Sequence, residues 1–331
     1  MKTINLVIIL NLFLLISCDK STNPDENSSF WILQRDKQDD IAYYAIFFSD
    51  INNGWIVGYN GTIKNTTDGG NHWQTQKSSV TETLCDVNFI NNLRGWICGW
   101  NNTILKTTNG GKSWIDLSPS HSENSIYVSV KFIDENIGWM TNSNGQILRT
   151  TDSGLTWEIK KSGGIGAFRL SVLNTETVFA FSGKFFRTYN CGESWDSVIV
   201  SVPQNYYASE IFFINPNKGW ITAVDLTGET MITNCCILTT NDGGEVWSSS
   251  EIISDNGTGL RCIYFVNENV GWVAGPQNIY KTINGGKRWL LEFSPSDGKL
   301  YAKDMCFVDE NNGWIINWEG KVYKHKNNSI N

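Results

Sequence analysis

The chain has 331 residues, with 26 basic against 33 acidic and a formal net charge of −7. No basic tract exists, which sets nucleic acid aside as a partner, and the acidity speaks for solubility rather than for a specific ligand. Cysteines and histidines lack C-x-x-C or H-E-x-x-H spacing, so no metal and no cofactor is expected.

Residues 1–18 read as an export signal. Lys2 supplies a short positive start, and Ile4–Ile16 is apolar but for Asn5 and Asn11, too short for a comfortable span of about 20 residues. Leu15-Ile16-Ser17-Cys18 resembles the lipobox of bacterial lipoproteins, in which the cysteine receives lipid. That resemblance implies lipidation at Cys18, export, and attachment to the cell envelope, on the periplasmic side or at the outer membrane. An ordinary secretory peptide or an uncleaved anchor is the alternative. Residues 19–28 are polar and read as a disordered tether. Seven cysteines follow Cys18, an odd number that cannot all pair within one chain, and free half-buried thiols are expected.

From 29 to 326 the sequence repeats itself, leaving 327–331 as a polar tail. Gly-Trp pairs begin at Gly54, Gly95, Gly138, Gly219, Gly271 and Gly313, with Val178-Phe179 as a degraded seventh copy. Six residues before each lies Phe48, Phe89, Phe132, Val172, Phe213, Phe265 or Phe307. Each unit continues into a polar turn closed by a tryptophan: Asp68 with Trp73, Asn109 with Trp114, Asp152 with Trp157, Asn190 with Trp195, Asp242 with Trp247, and Asn284 with Trp289. The last copy lacks its closing tryptophan, and Trp31 stands one period upstream of Trp73.

Four short strands per period of about 42 residues predict an all-β, seven-bladed propeller. In the second copy these are Leu84–Phe89 (strand A), Gly95–Trp100 (B), Thr103–Thr108 (C) and Ser113–Ser118 (D). The N-terminal strand carrying Trp31 is expected beside the strand carrying Val322, closing the ring and hiding its edges. In each turn the Asp or Asn should accept backbone N–H bonds of its own loop, a folding device rather than a site. Lys64, Lys106, Arg149, Arg187, Lys281 and Lys324 precede the turns on strand C, and solvated cross-strand pairing is expected of them.

The turn motif resembles the Asp-box, or BNR, repeat of sialidases, xyloglucanases and related propellers. The fuller unit is most similar to the photosystem II assembly and stability factor family, seven-bladed propellers that bind a membrane-protein partner rather than catalyse a reaction. The resemblance covers residues 29–326 and implies a non-enzymatic binding scaffold. The segment that opens sialidase domains is absent. A carbohydrate-active enzyme of Asp-box type and a structural envelope protein remain the alternatives.

A ligand is expected on the upper face, formed by the D–A and B–C loops, which vary most in length. The fifth blade carries an insertion within Val224–Asn234. Three residues before each strand-A aromatic stand Ala45, Asp86, Ser129, Arg169, Glu210, Cys262 and Asp304, expected to ring the channel mouth and either hold water or bind. Four residues after the Gly-Trp tryptophan, Tyr59, Trp100 and Trp318 fall on blades that adjoin once the ring closes. Either each covers its own turn, or together they form an aromatic arc for a protein segment or an envelope glycan. Asp86 and Asp304 are the only acid pair available to an enzyme. A monomer is expected.

Overall fold

A computed structural model describes residues 30–35, 41–119, 125–164, 166, 169–200, 206–225, 232–250, 253–256 and 259–326. The segments assigned to signal, lipobox Cys18, tether and tail lie outside the described residues. Seven antiparallel sheets form the molecule, each following the order A-B-C-D. Blade 2 consists of Leu84–Phe89, Gly95–Gly99, Ile104–Thr107 and Ile115–Asp116. Blade 7 consists of Ala302–Asp309, Asn312–Asn317 and Val322–Lys326, completed by Trp31–Arg35 as its outermost strand. Trp31 pairs with His325 and Arg35 with Val322, so the start of the described chain closes the ring as the repeat predicts.

An aromatic tape sets the spacing of the blades. Six of the seven strand-B aromatics, all but Trp139, which faces Val172, stack flat on the strand-A phenylalanine of the next blade: Trp55 on Phe89 at 3.6 Å, Trp96 on Phe132 at 3.7 Å, Phe179 on Phe213 at 3.7 Å, Trp220 on Phe265 at 3.5 Å, Trp272 on Phe307 at 4.0 Å. Trp314 on Phe48, at 3.5 Å, carries the tape across the closure. The turn tryptophan stands edge-on to the same phenylalanine within its own blade, as Trp114 does to Phe89 and Trp31 to Phe307. Offset and perpendicular ring contacts of this kind add to the area term of burial.

That tape explains the glycine of each Gly-Trp pair. A Cβ on Gly95 would lie 2.5 Å from the Phe89 ring, and Gly54, Gly138, Gly219, Gly271 and Gly313 face their own phenylalanines in the same way. Blade 4 has Val172 in place of the ring, and there alone the glycine becomes Val178.

The turns are built alike. In blade 2, Asn109 Oδ1 accepts from Ser113 N at 3.0 Å, while Thr107 Oγ1 accepts from Gly111 N at 2.9 Å. Equivalent bonds reach Asp68, Asp152, Asn190, Asp242 and Asn284 from the residue four positions on. The closing indoles differ: Trp157 and Trp247 donate to the carbonyls of Gly154 and Gly244, Trp195 to Lys160, and Trp114 to Gln76 Oε1.

Two expectations need correction. Blade 5 has a fifth strand, Ile253–Asn256, which pairs with the lengthened Ile232–Thr240 that follows the insertion. The strand-C basic side chains are not simply solvated. Lys106, Arg149, Lys281 and Lys324 lie over the rings of Trp96, Trp139, Trp272 and Trp314 on the neighbouring strand. Lys64 is one residue out of that register: it pairs with Ile56, and Asn65 stands opposite Trp55. The seven described cysteines are free, and Cys235 and Cys236 enter different core clusters because neighbours on a strand face opposite ways.

Candidate functional site

Strand A is innermost, and its free edge would expose unpaired N–H groups to the channel. Side chains of the preceding blade cover part of that edge. Asp86 Oδ2 accepts from Val130 N, Ser129 Oγ and Lys131 Nζ, at 2.9, 2.9 and 3.0 Å. Asp304 Oδ2 accepts from Ile46 N at 2.9 Å across the closure, and its Oδ1 from its own Met305 N. Asn88 and Ser171 do the same for Phe132 N and Phe213 N. Arg169 Nε donates to Ser209 O at 3.2 Å and lies 3.8 Å from Glu210. The predicted ring of polar groups is thus spent largely on stitching blade to blade. Ala45 and Cys262 are apolar breaks in it, both buried.

Depth in the channel tunes these groups. Burial pushes the Asp304 carboxyl up to about 7, with the nearby Asp86 charge adding to the effect and the Ile46 N–H opposing it. The side chain is half-buried by surface, so desolvation comes from the protein mass around the channel rather than from contact on every side. Glu210 is raised by burial against the pull of Arg169. Burial works against the Lys131 charge, and Asp86 outweighs it, so Lys131 is raised.

Above this ring sits an aromatic and cationic cluster. A β-bulge before the ring position in blades 1, 2, 3, 5 and 7 leaves Tyr44, Cys85, Val128, Ser209 and Lys303 unpaired by the neighbouring strand. Tyr44 packs edge-on against both Tyr59, at 5.5 Å, and Trp318, at 5.4 Å. Lys303 Nζ lies over Tyr44 at 4.7 Å and Trp318 at 4.5 Å. The three aromatics singled out by sequence remain open to solvent, Tyr59 at 39%, Trp100 at 40% and Trp318 at 37%. Tyr44 brings Tyr59 and Trp318 together, which periodicity alone does not reveal, while Trp100 stands on the adjoining blade without a ring contact to them among the described residues.

The cluster is cationic. Lys303 is held below its usual range, first by burial and also by repulsion from Arg169 and Arg261, against the attraction of Asp304. Burial, with Asp86 adding to it, pushes the Cys85 thiol up to about 12, so it stays protonated and unreactive. The arrangement offers flat apolar faces with the Lys303 ammonium over two of them, suited to an extended segment bearing aromatic or acidic groups. The insertion residues 226–231 and parts of five D–A loops at this face lie outside the described residues. A separate cavity of about 320 Å³ opens at the A–B ends of blades 5 to 7, between Tyr264, Phe307 and Glu310. It shares no residue with the upper cluster.

A closed ring of seven sheets, six of them ending in an Asp-box turn, defines a repeat propeller of the Asp-box class. The chain belongs to the photosynthesis system II assembly factor YCF48 family, whose model matches residues 23–326. Among solved structures, YCF48 from Cyanidioschyzon merolae is 20% identical with a TM-score of 0.72, covering 91% of this chain and 99% of its own. YCF48 bound to D1 peptide is 21% identical with a TM-score of 0.71, covering 90% and 96%. The GH74 xyloglucanase from Xanthomonas campestris shares the architecture at 10% identity and a TM-score of 0.63, over 89% of this chain and 53% of that enzyme. No curated protein matches the sequence.

Proposed function

We propose that this protein is a non-enzymatic scaffold, lipid-anchored outside the cytoplasm through Cys18, that docks a segment of a protein partner on its upper face. The observation that carries the reading is the cluster of Trp318, Lys303, Tyr44 and Tyr59, rings held by one another at the mouth of a rigid ring, with Trp100 exposed on the adjoining blade. Aromatic anchors on a preformed surface bind with little ordering cost. The relative solved with D1 peptide supports a peptide ligand for this fold. A hydrolase would need two carboxyls turned toward substrate. Asp86 and Asp304 instead accept backbone N–H groups of the adjoining blade, which favours the scaffold.

The test is affinity capture from native membranes, with captured proteins identified by mass spectrometry, comparing wild type with the Trp100→Ala, Trp318→Ala double variant. Loss of the captured partner with an unchanged melting temperature supports the reading. A large fall in melting temperature would make the arc a structural element. Capture of envelope glycan, with no protein, would assign the platform to sugars.

A further inference from the structure

The outer rim of the ring is uneven in a way the upper face does not explain. The two residues after the closing tryptophan are Gln74-Thr75, Ile115-Asp116, Glu158-Ile159, Asp196-Ser197 and Ser248-Ser249 in blades 1 to 5. In blades 6 and 7 they become Leu290-Leu291 and Ile32-Leu33, each pair wholly apolar and exposed. Phe30 and Ile283 extend the patch toward the turn side, with exposures running from 38% at Phe30 to 69% at Ile283. The two blades meet there. Lys281 Nζ lies over the Phe30 ring at 5.9 Å, and Lys281 is the strand partner of Leu290. Lys287, Arg288 and Lys326 are exposed beside it, on a chain whose net charge is negative.

We propose that this sector, Phe30, Ile32, Leu33, Ile283, Leu290 and Leu291 with its basic margin, rests on an anionic lipid bilayer. Soluble monomers rarely leave a contiguous apolar patch uncovered, and apolar side chains flanked by lysine and arginine are the composition of an interfacial membrane contact. The chain itself names the occupant. Phe30 lies 12 residues after Cys18. A chain of that length cannot span more than about 40 Å. A lipid on Cys18 would therefore attach at this rim and bring it to the membrane. The channel axis then lies near the membrane plane, which leaves the upper loops open from the side to the exposed part of a membrane protein. The orientation rests on the lipid-anchor reading; the affinity of the patch for lipid does not.

Two measurements separate these claims. Mass spectrometry of the protein extracted from membranes reports whether Cys18 carries lipid. For the patch, all described strands fall within Trp31–Lys326, so a chain starting at Asp19 keeps all seven sheets. This lipid-free chain is floated with vesicles of phosphatidylglycerol and phosphatidylcholine, and with phosphatidylcholine alone. It should bind the anionic vesicles more strongly. Ile32→Gln, Leu33→Thr, Leu290→Ser and Leu291→Ser together place residues that blades 1 and 5 already tolerate at those positions. They should weaken vesicle binding about tenfold or more at an unchanged melting temperature, whereas Ile115→Ser on blade 2 should leave binding unaltered. Failure of the wild-type chain to bind either vesicle, undiminished binding by the fourfold variant, or a dimer in sedimentation that the fourfold variant abolishes would each overturn the proposal. An unmodified Cys18 would remove the anchor and leave the vesicle assay to decide the patch.

Discussion

At the scale of the residue, the Gly-Trp pair and the phenylalanine six positions earlier are one device. The glycine is needed for space, because the ring of its own strand A lies across its Cα. Gly95→Ala would force Phe89 away from its 3.6 Å stack on Trp55, and overpacking of this kind costs about 1–3 kcal/mol. In a Phe89→Val background, which copies Val172 of blade 4, the alanine should cost little. A double-mutant cycle by urea denaturation should therefore give a coupling of about 1 kcal/mol or more, and additive values would refute the dependence. Sequence displayed both partners at constant spacing, and their covariation in blade 4, but not that one sits upon the other. The Asp-box side chains were legible because a turn's hydrogen bonds close within five residues. Tyr44 was not: a single bulged residue shifts the facing of all that precedes it, and nothing in the spelling of Tyr43–Phe48 marks the bulge.

At the scale of the element, the strand Trp31–Arg35 must replace what a continuous chain supplies elsewhere. In blades 1, 2, 5 and 7 the strand-B indole donates to a turn carbonyl of the next blade, as Trp55 does to Gly110 and Trp314 to Gly69. Blade 7 has no such turn to offer Trp272. Glu292 takes its place, accepting Trp272 Nε1 and Trp31 Nε1 at 2.8 Å each, with Lys281 at 3.4 Å and His325 at 3.7 Å. Burial opposes its ionisation, yet His325, the Trp31 N–H and Lys281 prevail and hold its carboxyl below the ordinary 4.5. Glu292→Ala leaves two buried indoles without an acceptor and should cost about 2–4 kcal/mol in thermal denaturation, with faster amide exchange at 31–35. Because the folded pKa is depressed, this stabilisation is complete above about pH 4.5 and is lost as pH falls through the folded value. Glu292→Gln should accordingly flatten the acid limb of the stability profile; an unchanged limb would assign that limb to other carboxylates. The missing turn was visible in the sequence as a missing tryptophan, whereas its substitute, one glutamate on a neighbouring blade, had no repeat to announce it. The extra strand of blade 5 escaped for a similar reason, since an insertion has no sibling to be compared with.

At the scale of the whole molecule, the number of blades and the place of closure were written in the period, because a wheel built of like units has to bury like faces at each junction. What the period could not convey is how near the two ends of the folded body come. Lys326 N donates to Phe30 O at 2.7 Å, so the ring is covalently open at a point where its backbone is already joined by hydrogen bonds. Two changes to the chain discriminate whether the closing strand matters for its contacts or for its position in sequence. A permutant that joins 326 to 30 through a short glycine-rich linker, with new ends in the loop between Leu117 and Ile126, keeps each strand beside its native neighbours. Its melting temperature should stay within about 5 °C of the parent chain, since permutation is tolerated where ends adjoin. Removal of residues 1–35 instead exposes the Val322–Lys326 edge and strips Glu292 of one indole, and should yield aggregates or strand-exchanged oligomers by light scattering. A stable monomeric deletion variant would mean that six complete blades and an open seventh suffice, and the head-to-tail strand would then be dispensable for the fold.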